Sequence, residues 1–320
     1  MVSALLAGKR VNKPVSCENR DLLALGLLSD ESSIWLPSDV QAIERGVVLK
    51  EMSSRARRLW TNVEVCPVIG STNSALMALG QDANGRILVT EYQFGGRGRR
   101  GRRWLSPLGR NLCFSLGLQV PGTLDRLAGL SLVVGLAVAD ALLTAEVPGV
   151  RLKWPNDLIV MTGDDIYAKL GGILVELQSH PETCTAVLGI GLNFGGAAAT
   201  RPGVNVALAD IVELRPSVGR VEILVAVLNS LADYLENFLE QGFSPMKLAW
   251  NRLHAFHNRK VSLYSGSASV NEQELAQPLN SGTVLGITDT GRLVVRTADS
   301  GDIKVDAGEV SLRRIPLERN

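Results

Sequence analysis

Histidine is scarce in this chain, cysteine is scattered and neither sign of charge prevails, and each shortage removes a class of function. The only histidines are His180, His254 and His257. The last two have H-x-x-H spacing without an acidic neighbour, which reads as a partly exposed helical pair and not as a metal centre. Cys17, Cys66, Cys113 and Cys184 show no C-x-x-C spacing. That excludes a zinc ribbon and suits the reduced thiols of a cytoplasmic protein better than a disulfide framework. A formal net charge of +1 leaves no footprint for non-specific nucleic-acid binding. The most apolar run, Leu127 to Ala139, falls short of the roughly 20 residues that span a bilayer, so no membrane is expected. The N-terminus lacks the basic head of a signal peptide. No Walker A run, G-x-S-x-G elbow or H-E-x-x-H helix is present, which removes the commonest nucleotide, nucleophilic and metal machineries. At 320 residues, 46% of them hydrophobic, the chain has core enough for two or three domains.

What is abundant is concentrated in one place. Five arginines and four glycines fall between Gly95 and Arg103. Glycine lets a backbone approach a ligand closely, and arginine offers a forked, permanent cation for carboxylate or phosphate. Gly96-Arg97-Gly98-Arg99-Arg100-Gly101 satisfies G-x-G-x-x-G, but the dinucleotide fingerprint requires a helix to follow. Here Trp104-Leu105-Ser106-Pro107-Leu108-Gly109 follows, and its proline and glycine do not open one. A kinase loop fails too, since no H-R-D or D-F-G occurs. The loop by itself describes an anion site, with a solvated basic loop or a nucleic-acid patch as the plainer readings. Tyr92 and Trp104 at its ends supply stacking surfaces and argue against plain solvation.

The apolar run Ile87 to Thr90 predicts a buried strand that delivers this loop. Strands are also expected at Ile34–Leu36, Val63–Cys66, Asn111–Leu118, Lys169–Glu176 and Thr185–Leu192, and a hairpin over Val150–Val160 with Lys153, Asn156 and Asp157 at its tip. Asp164-Asp165 reads as a turn. Helices are expected at Leu22–Leu28, Leu49–Trp60, Ser74–Leu79 with Gly80 as C-cap, Leu124–Ala145, and about 207–214, 220–240 and 245–257. Beyond Asn258 short alternating strands with Gly, Asp and Ser turns describe a small β-barrel or sandwich. The class is α+β, with a mixed, largely antiparallel sheet and flanking helices.

Four elements then need one explanation: the Ser71-Thr72-Asn73 turn, the arginine-glycine loop, the Lys153-to-Asp157 tip and Lys169 before paired glycines. Each has a bland reading as a helix cap, a turn pair or a solvated charge. Together, and without a nucleophile, they suit a reaction driven by positioning and charge neutralisation at phosphorus. Gly96-Arg97-Gly98-Arg99-Arg100-Gly101 with Trp104, then Lys153-Trp154-Pro155-Asn156-Asp157, then Lys169-Leu170-Gly171-Gly172-Ile173-Leu174-Val175-Glu176 resembles the bacterial biotin protein ligases. The likeness is close over 63–196 and looser in the C-terminal part.

The resemblance implies a catalytic sheet like that of class II synthetases and lipoate ligases, followed by an SH3-like β-barrel. It implies that biotin and ATP give biotinyl-5′-adenylate, and that a lysine of a biotin carboxyl carrier protein then takes the biotinyl group. Lys169, Arg99 and Asp157 are the implied catalytic residues. Ser71, Thr72, Asn73, Gln93, Arg97, Gly98, Arg99 and Lys169 would hold biotin. Arg100, Arg102, Trp104, Asn156, Asn193 and Arg313 would hold the nucleotide, and Asp157 the Mg²⁺. Residues 1–60 are expected to be a degenerate or truncated winged helix, since about 33 residues before Ile34 are fewer than three helices of average length need. DNA binding is therefore not expected, and a homodimer stays open. Residues 61–257 would be catalytic and 258–320 the barrel. Phe94-Gly95 departs from the polar residue and alanine of some members. A lipoate-type ligase and a biotin-dependent repressor are the alternatives.

Overall fold

A small sheet opens the chain in the computed structural model, which describes residues 1–13, 22, 25–163, 166–200, 206–265, 278–307 and 310–314. Its strands are β1 (Val11–Asn12), β2 (Leu28–Ser29) and β3 (Ser33–Trp35), in the order β1-β3-β2. With the helix Val2–Leu6 it encloses a cluster of Leu5, Leu22, Leu27, Ile34 and Leu36, closed by Leu108 of the main body. The strand expected around Ile34 is therefore present. The helix expected over Leu22–Leu28 is not continued: Leu25 and Gly26 form a turn, with Gly26 at φ +74°, and Leu28 lies in β2. Residues 23 and 24, Cys17 and the Asp164-Asp165 turn lie outside the described residues.

The main sheet has seven strands in the order β4-β5-β6-β10-β9-β8-β7. They are β4 (Asn62–Cys66), β5 (Arg86–Thr90), β6 (Leu112–Pro121), β7 (Val150–Lys153), β8 (Asp157–Met161), β9 (Tyr167–Ser179) and β10 (Thr183–Leu192). Only β4 and β5 pair in parallel; the other neighbours are antiparallel. β6 and β10 are continuous apolar runs because both faces of this centre are covered. One cover is the helix Leu130–Thr144, apolar and buried on most of its surface, with Asp140 exposed. It packs against Arg220–Gln241, whose buried Ile223, Leu224, Val227, Leu228, Leu231, Leu235 and Phe238 recur at helical spacing. The segment Leu124–Thr144 is apolar enough to cross a membrane by length and composition, but 67% of its apolar 18-residue window is buried inside the fold. It is a core element here.

Several expected helices are shorter or broken. Leu124–Ala145 divides into a 3-10 turn, Leu124–Leu127, and Leu130–Thr144, because Gly129 between them takes φ +85°. Leu49–Trp60 is two helices, Arg45–Glu51 and Ser54–Leu59, parted where Ser53 turns extended and accepts a hydrogen bond from the Ala56 N–H. Of 207–214 only Ile211–Leu214 is helical. Of 245–257 the helix is Lys247–Leu253 after a short 3-10 turn. His254 thus lies beyond the helix, and it is buried, which corrects the partly exposed helical pair.

The C-terminal sheet consists of β11 (Lys260–Ser265), β12 (Asn280–Ile287), β13 (Leu293–Thr297), β14 (Gly301–Val305) and β15 (Val310–Arg314), antiparallel throughout in the order β14-β13-β12-β11-β15. Residues 43–60 pack with the main core through Ile43, Val48, Met52, Ala56 and Trp60.

Candidate active site

The arginine-glycine loop is a miniature hairpin. The Trp104 N–H donates to Gly96 O at 2.9 Å, and the Gly98 N–H to Arg102 O at 2.7 Å. At its tip Arg100 takes φ +59° and Gly101 φ +69°, the left-handed turn that only the glycine adopts without cost. The loop springs from β5, whose end is fixed by a buried ion pair. Arg220 Nη1 donates to Glu91 Oε2 at 2.7 Å while the Ile43 N–H donates to Glu91 Oε1 at 2.6 Å. Nothing in the sequence assigns a role to Glu91 or Arg220. Charges at position 91 and at a helix start 129 residues later become partners only once the helix lies on the sheet.

The loop, the Ser71 turn, the β7–β8 hairpin tip and β9 surround one cavity of about 380 Å³. It gathers Ser71, Thr72, Asn73, Gln93, Arg97, Gly98, Arg99, Arg100, Arg102, Trp104, Asn156, Asp157, Lys169 and Asn193. Of the residues expected in the site, only Arg313 is left aside: it lies in β15 opposite Ser262, and its side chain is outside the described residues. Ser71 is both cap and wall, accepting a hydrogen bond from the Ser74 N–H. Gln93 Oε1 accepts from the Thr72 N–H at 2.8 Å.

At the other end Lys169 Nζ donates to Asp157 Oδ1 at 2.7 Å and lies 5.8 Å from the Trp104 ring centre. A bulge between Leu158 and Ile159 re-aims β9 so that Asp157 stands opposite Gly172. The Lys169 backbone is clamped on both sides, its N–H donating to Ala207 O and its carbonyl accepting from Ala209 N–H and Asn193 Nδ2. Residues 207–209 are extended for this reason. Burial alone would raise the Asp157 carboxyl; Lys169, Lys153 and Arg99 overcome that and hold it below its ordinary range.

Arg99 joins three parts of the molecule. Its Nη1 donates to Asn156 Oδ1 at 3.1 Å, and its Nη2 to the Ala307 carbonyl of the C-terminal part. Burial and then Arg100 lower its pKa, Arg102 adding to this and Asp157 opposing it. A guanidinium stays charged regardless, so the crowding marks a positive field that an anion relieves. Arg97 donates to Ser74 Oγ at 2.9 Å and to Glu176 Oε1 at 3.2 Å.

Four further residues shape the site and were not expected to. Ser115 and Glu176 hold Asn73. A Cβ at Gly189 would meet Asn73 Oδ1 at 2.1 Å, and one at Gly191 would meet the Trp104 indole at 2.7 Å. Alternating glycines in the apolar run Leu188-Gly189-Ile190-Gly191 were a visible signal, since glycine weakens a strand unless something must come close.

Residues 65–193 match the Biotin/lipoate A/B protein ligase family, and residues 270–313 match the Biotin protein ligase C terminal domain. The chain is 33% identical over 281 residues to the bifunctional ligase/repressor BirA of Salmonella typhimurium, covering 87% of this chain and 81% of that protein. It is 33% identical to the biotin–[acetyl-CoA-carboxylase] ligase of Paracoccus denitrificans, covering 75% of this chain and 96% of that one. The Aquifex aeolicus biotin protein ligase, solved in complex with biotin and ATP, aligns with a TM-score of 0.62 at 27% identity, over 80% of this chain and all of that one. The fold and site thus define an ATP-dependent ligase. The chain belongs to the biotin protein ligase family.

Proposed function

We propose that this protein joins biotin to ATP, forming biotinyl-5′-adenylate and releasing pyrophosphate, and then passes the biotinyl group to one lysine of a biotin carboxyl carrier protein. The observation that carries this reading is the two-ended cavity. One end offers uncharged hydrogen-bonding groups, Thr72 and Gln93; the other offers Lys169 and Arg99 beside Trp104. A neutral ring with a carboxylate tail fits that polarity, its tail meeting the α-phosphate beside Lys169. In the first step a carboxylate oxygen attacks the α-phosphorus and the bond to the bridging oxygen of pyrophosphate breaks. Lys169 neutralises the two anions that meet and the charge that builds at phosphorus, while Arg99, tied to Asn156 and Ala307, holds the loop over them. Trp104 supports the adenine. In the second step the uncharged amine of the carrier lysine attacks the acyl carbon, loses its proton, and AMP leaves.

Asp157 has the chemistry for the Mg²⁺ that accompanies ATP. This ion takes one or two carboxylates and draws its other ligands from phosphate and water, and among the described residues no cluster of three acidic, histidine or cysteine side chains offers a closed cage. When bound, the ion would shield the triphosphate.

The order β1-β3-β2 supports reading residues 1–36 as the winged-helix remnant, while the packing of 43–60 supports placing those residues with the catalytic part. No operator binding is proposed for the remnant; a salt-resistant, biotin-dependent shift of promoter DNA would reverse this, because non-specific binding fades with salt. The ligase reading is tested by ATP–pyrophosphate exchange with biotin and with lipoate as the competing acid. Exchange is expected with biotin only; exchange with lipoate alone would overturn the assignment.

A further inference from the structure

Building on that reading, we infer that Ser115 and Glu176, neither of which lines the cavity, decide which hydrogen-bonding groups the biotin end presents. The proton accounting is closed. Asn73 Nδ2 lies 3.1 Å from the Leu174 carbonyl and 2.9 Å from Glu176 Oε2. Both are acceptors only, so the atom there is the nitrogen and both its protons are committed. Asn73 Oδ1 is then an acceptor, 2.6 Å from Ser115 Oγ. Ser115 has one proton, and it goes to Asn73; sending it elsewhere would leave two acceptors facing each other at that distance.

The consequence reaches the ligand. Ser115 Oγ, its proton spent, lies 2.7 Å from Thr72 Oγ1. Thr72 also has Gln93 Oε1 at 3.2 Å. Both neighbours can only accept from Thr72, so its hydroxyl proton stays inside the protein whichever one takes it. What Thr72 shows to the cavity is an acceptor. Gln93 is the reverse: its oxygen is held by the Thr72 N–H, so only its amide N–H groups remain to be offered. An acceptor beside a donor is the complement of the N–H and C=O of a cyclic urea.

The chain of command begins at Glu176. Its carboxylate also accepts from Arg97 of the loop through Oε1, which fixes its orientation from the opposite side. Ser115 is fully buried in β6 and faces Gly189 across the sheet. The absence of a side chain at Gly189 is what lets Asn73 lie in line. Ser115 and Glu176 are therefore positioning residues that select a ligand by hydrogen-bond polarity without touching it.

The test uses pyrophosphate exchange by the full-length protein with biotin and with biotin methylated on a urea nitrogen. The parent should prefer biotin on the order of 100-fold in kcat/KM, because a committed acceptor left without its N–H is penalised. Ser115→Ala frees the Thr72 hydroxyl to turn. It should raise the biotin KM about 10-fold or more, leave the ATP KM and kcat near parent values, and shrink the preference for biotin several-fold. Glu176→Gln, at a partly exposed position, should move KM and preference in the same direction; its carboxamide can face Asn73 with a donor and so reverse the chain. It decides the matter if Ser115→Ala does not fold. Parallel increases in both KM values at a constant ratio would mean a merely structural role and overturn the inference, as would unchanged variants in an active background. A parent that performs no exchange with biotin would take down the ligase reading and this one together.

Discussion

Lys169 shows how one side chain acquires a role from its surroundings. A lysine at a strand end is ordinarily a solvated charge, but here the ammonium is held 2.7 Å from Asp157 Oδ1, with its backbone pinned by Ala207, Ala209 and Asn193. A cation held in advance loses little when charge develops beside it. Lys169→Ala is expected to slow adenylate formation by about 100-fold to 1,000-fold, equivalent to about 3–4 kcal/mol, with biotin's ring contacts retained. Near-normal pyrophosphate exchange by a folded Lys169→Ala protein would remove Lys169 from the mechanism. At the same scale, Gly191 matters for what it omits. Gly191→Ala would push a methyl group to 2.7 Å from the Trp104 indole, and the ring must then shift. The ATP KM should rise about 10-fold, the loss of roughly one good packing contact, while biotin binding measured without ATP stays at the parent value. Equal weakening of both ligands would point to a general distortion of β10 instead.

At the scale of an element, the arginine-glycine hairpin is tied down at its tip by Arg99 to Asn156 on one side and to Ala307 on the other. Lys169 already supplies a cation for the first step. Arg99 thus bears most on keeping the hairpin closed over a reactive mixed anhydride, which must be kept from water and stray amines. Arg99→Gly removes both ties and adds backbone freedom. The variant should still form biotinyl-adenylate but release it early. Given biotin, ATP and a bystander protein without a carrier domain, it should label exposed lysines that the parent leaves untouched. If the variant makes no adenylate, Arg99 acts in the first step and the closing role falls.

For the whole molecule, the junction between the catalytic sheet and the C-terminal sheet is expected to lose stability in acid. His254 pairs with Leu152 at the edge of β7, packs on Trp250 and Phe256, and has no hydrogen-bond partner for either ring nitrogen. Burial, with a smaller effect from His257, lowers its pKa from 6.5 to about 3. The folded protein refuses a proton that the unfolded chain accepts. Stability from this group is therefore complete above about 6.5 and is lost as the pH falls from there toward 3. The slope approaches about 1.4 kcal/mol per pH unit, the value for one proton. His254→Phe keeps an aromatic ring in place and should flatten the fall in denaturation midpoint between pH 6 and pH 4. An unchanged pH profile would show that His254 is protonated in the native state after all.

The local chemistry was readable from sequence because it is encoded in neighbours along the chain. The loop's glycines and arginines, the Lys153-to-Asp157 tip and the strand carrying Lys169 each announce close approach, cation or turn within a few residues, and the apolar runs of β5, β6 and β10 announce a buried sheet. Helix limits were less legible, since single residues such as Gly129 and Ser53 break patterns that periodicity alone would continue. Tertiary structure alone decided the pairings: Glu91 with Arg220, Arg99 with Ala307, and Asn73 with Ser115 and Glu176. Hydrogen bonds depend on distances of about 3 Å and on which atom holds the proton. Neither property is carried by residue type or spacing when the partners lie 42 to 208 positions apart; both arise only when the sheet has brought those strands side by side.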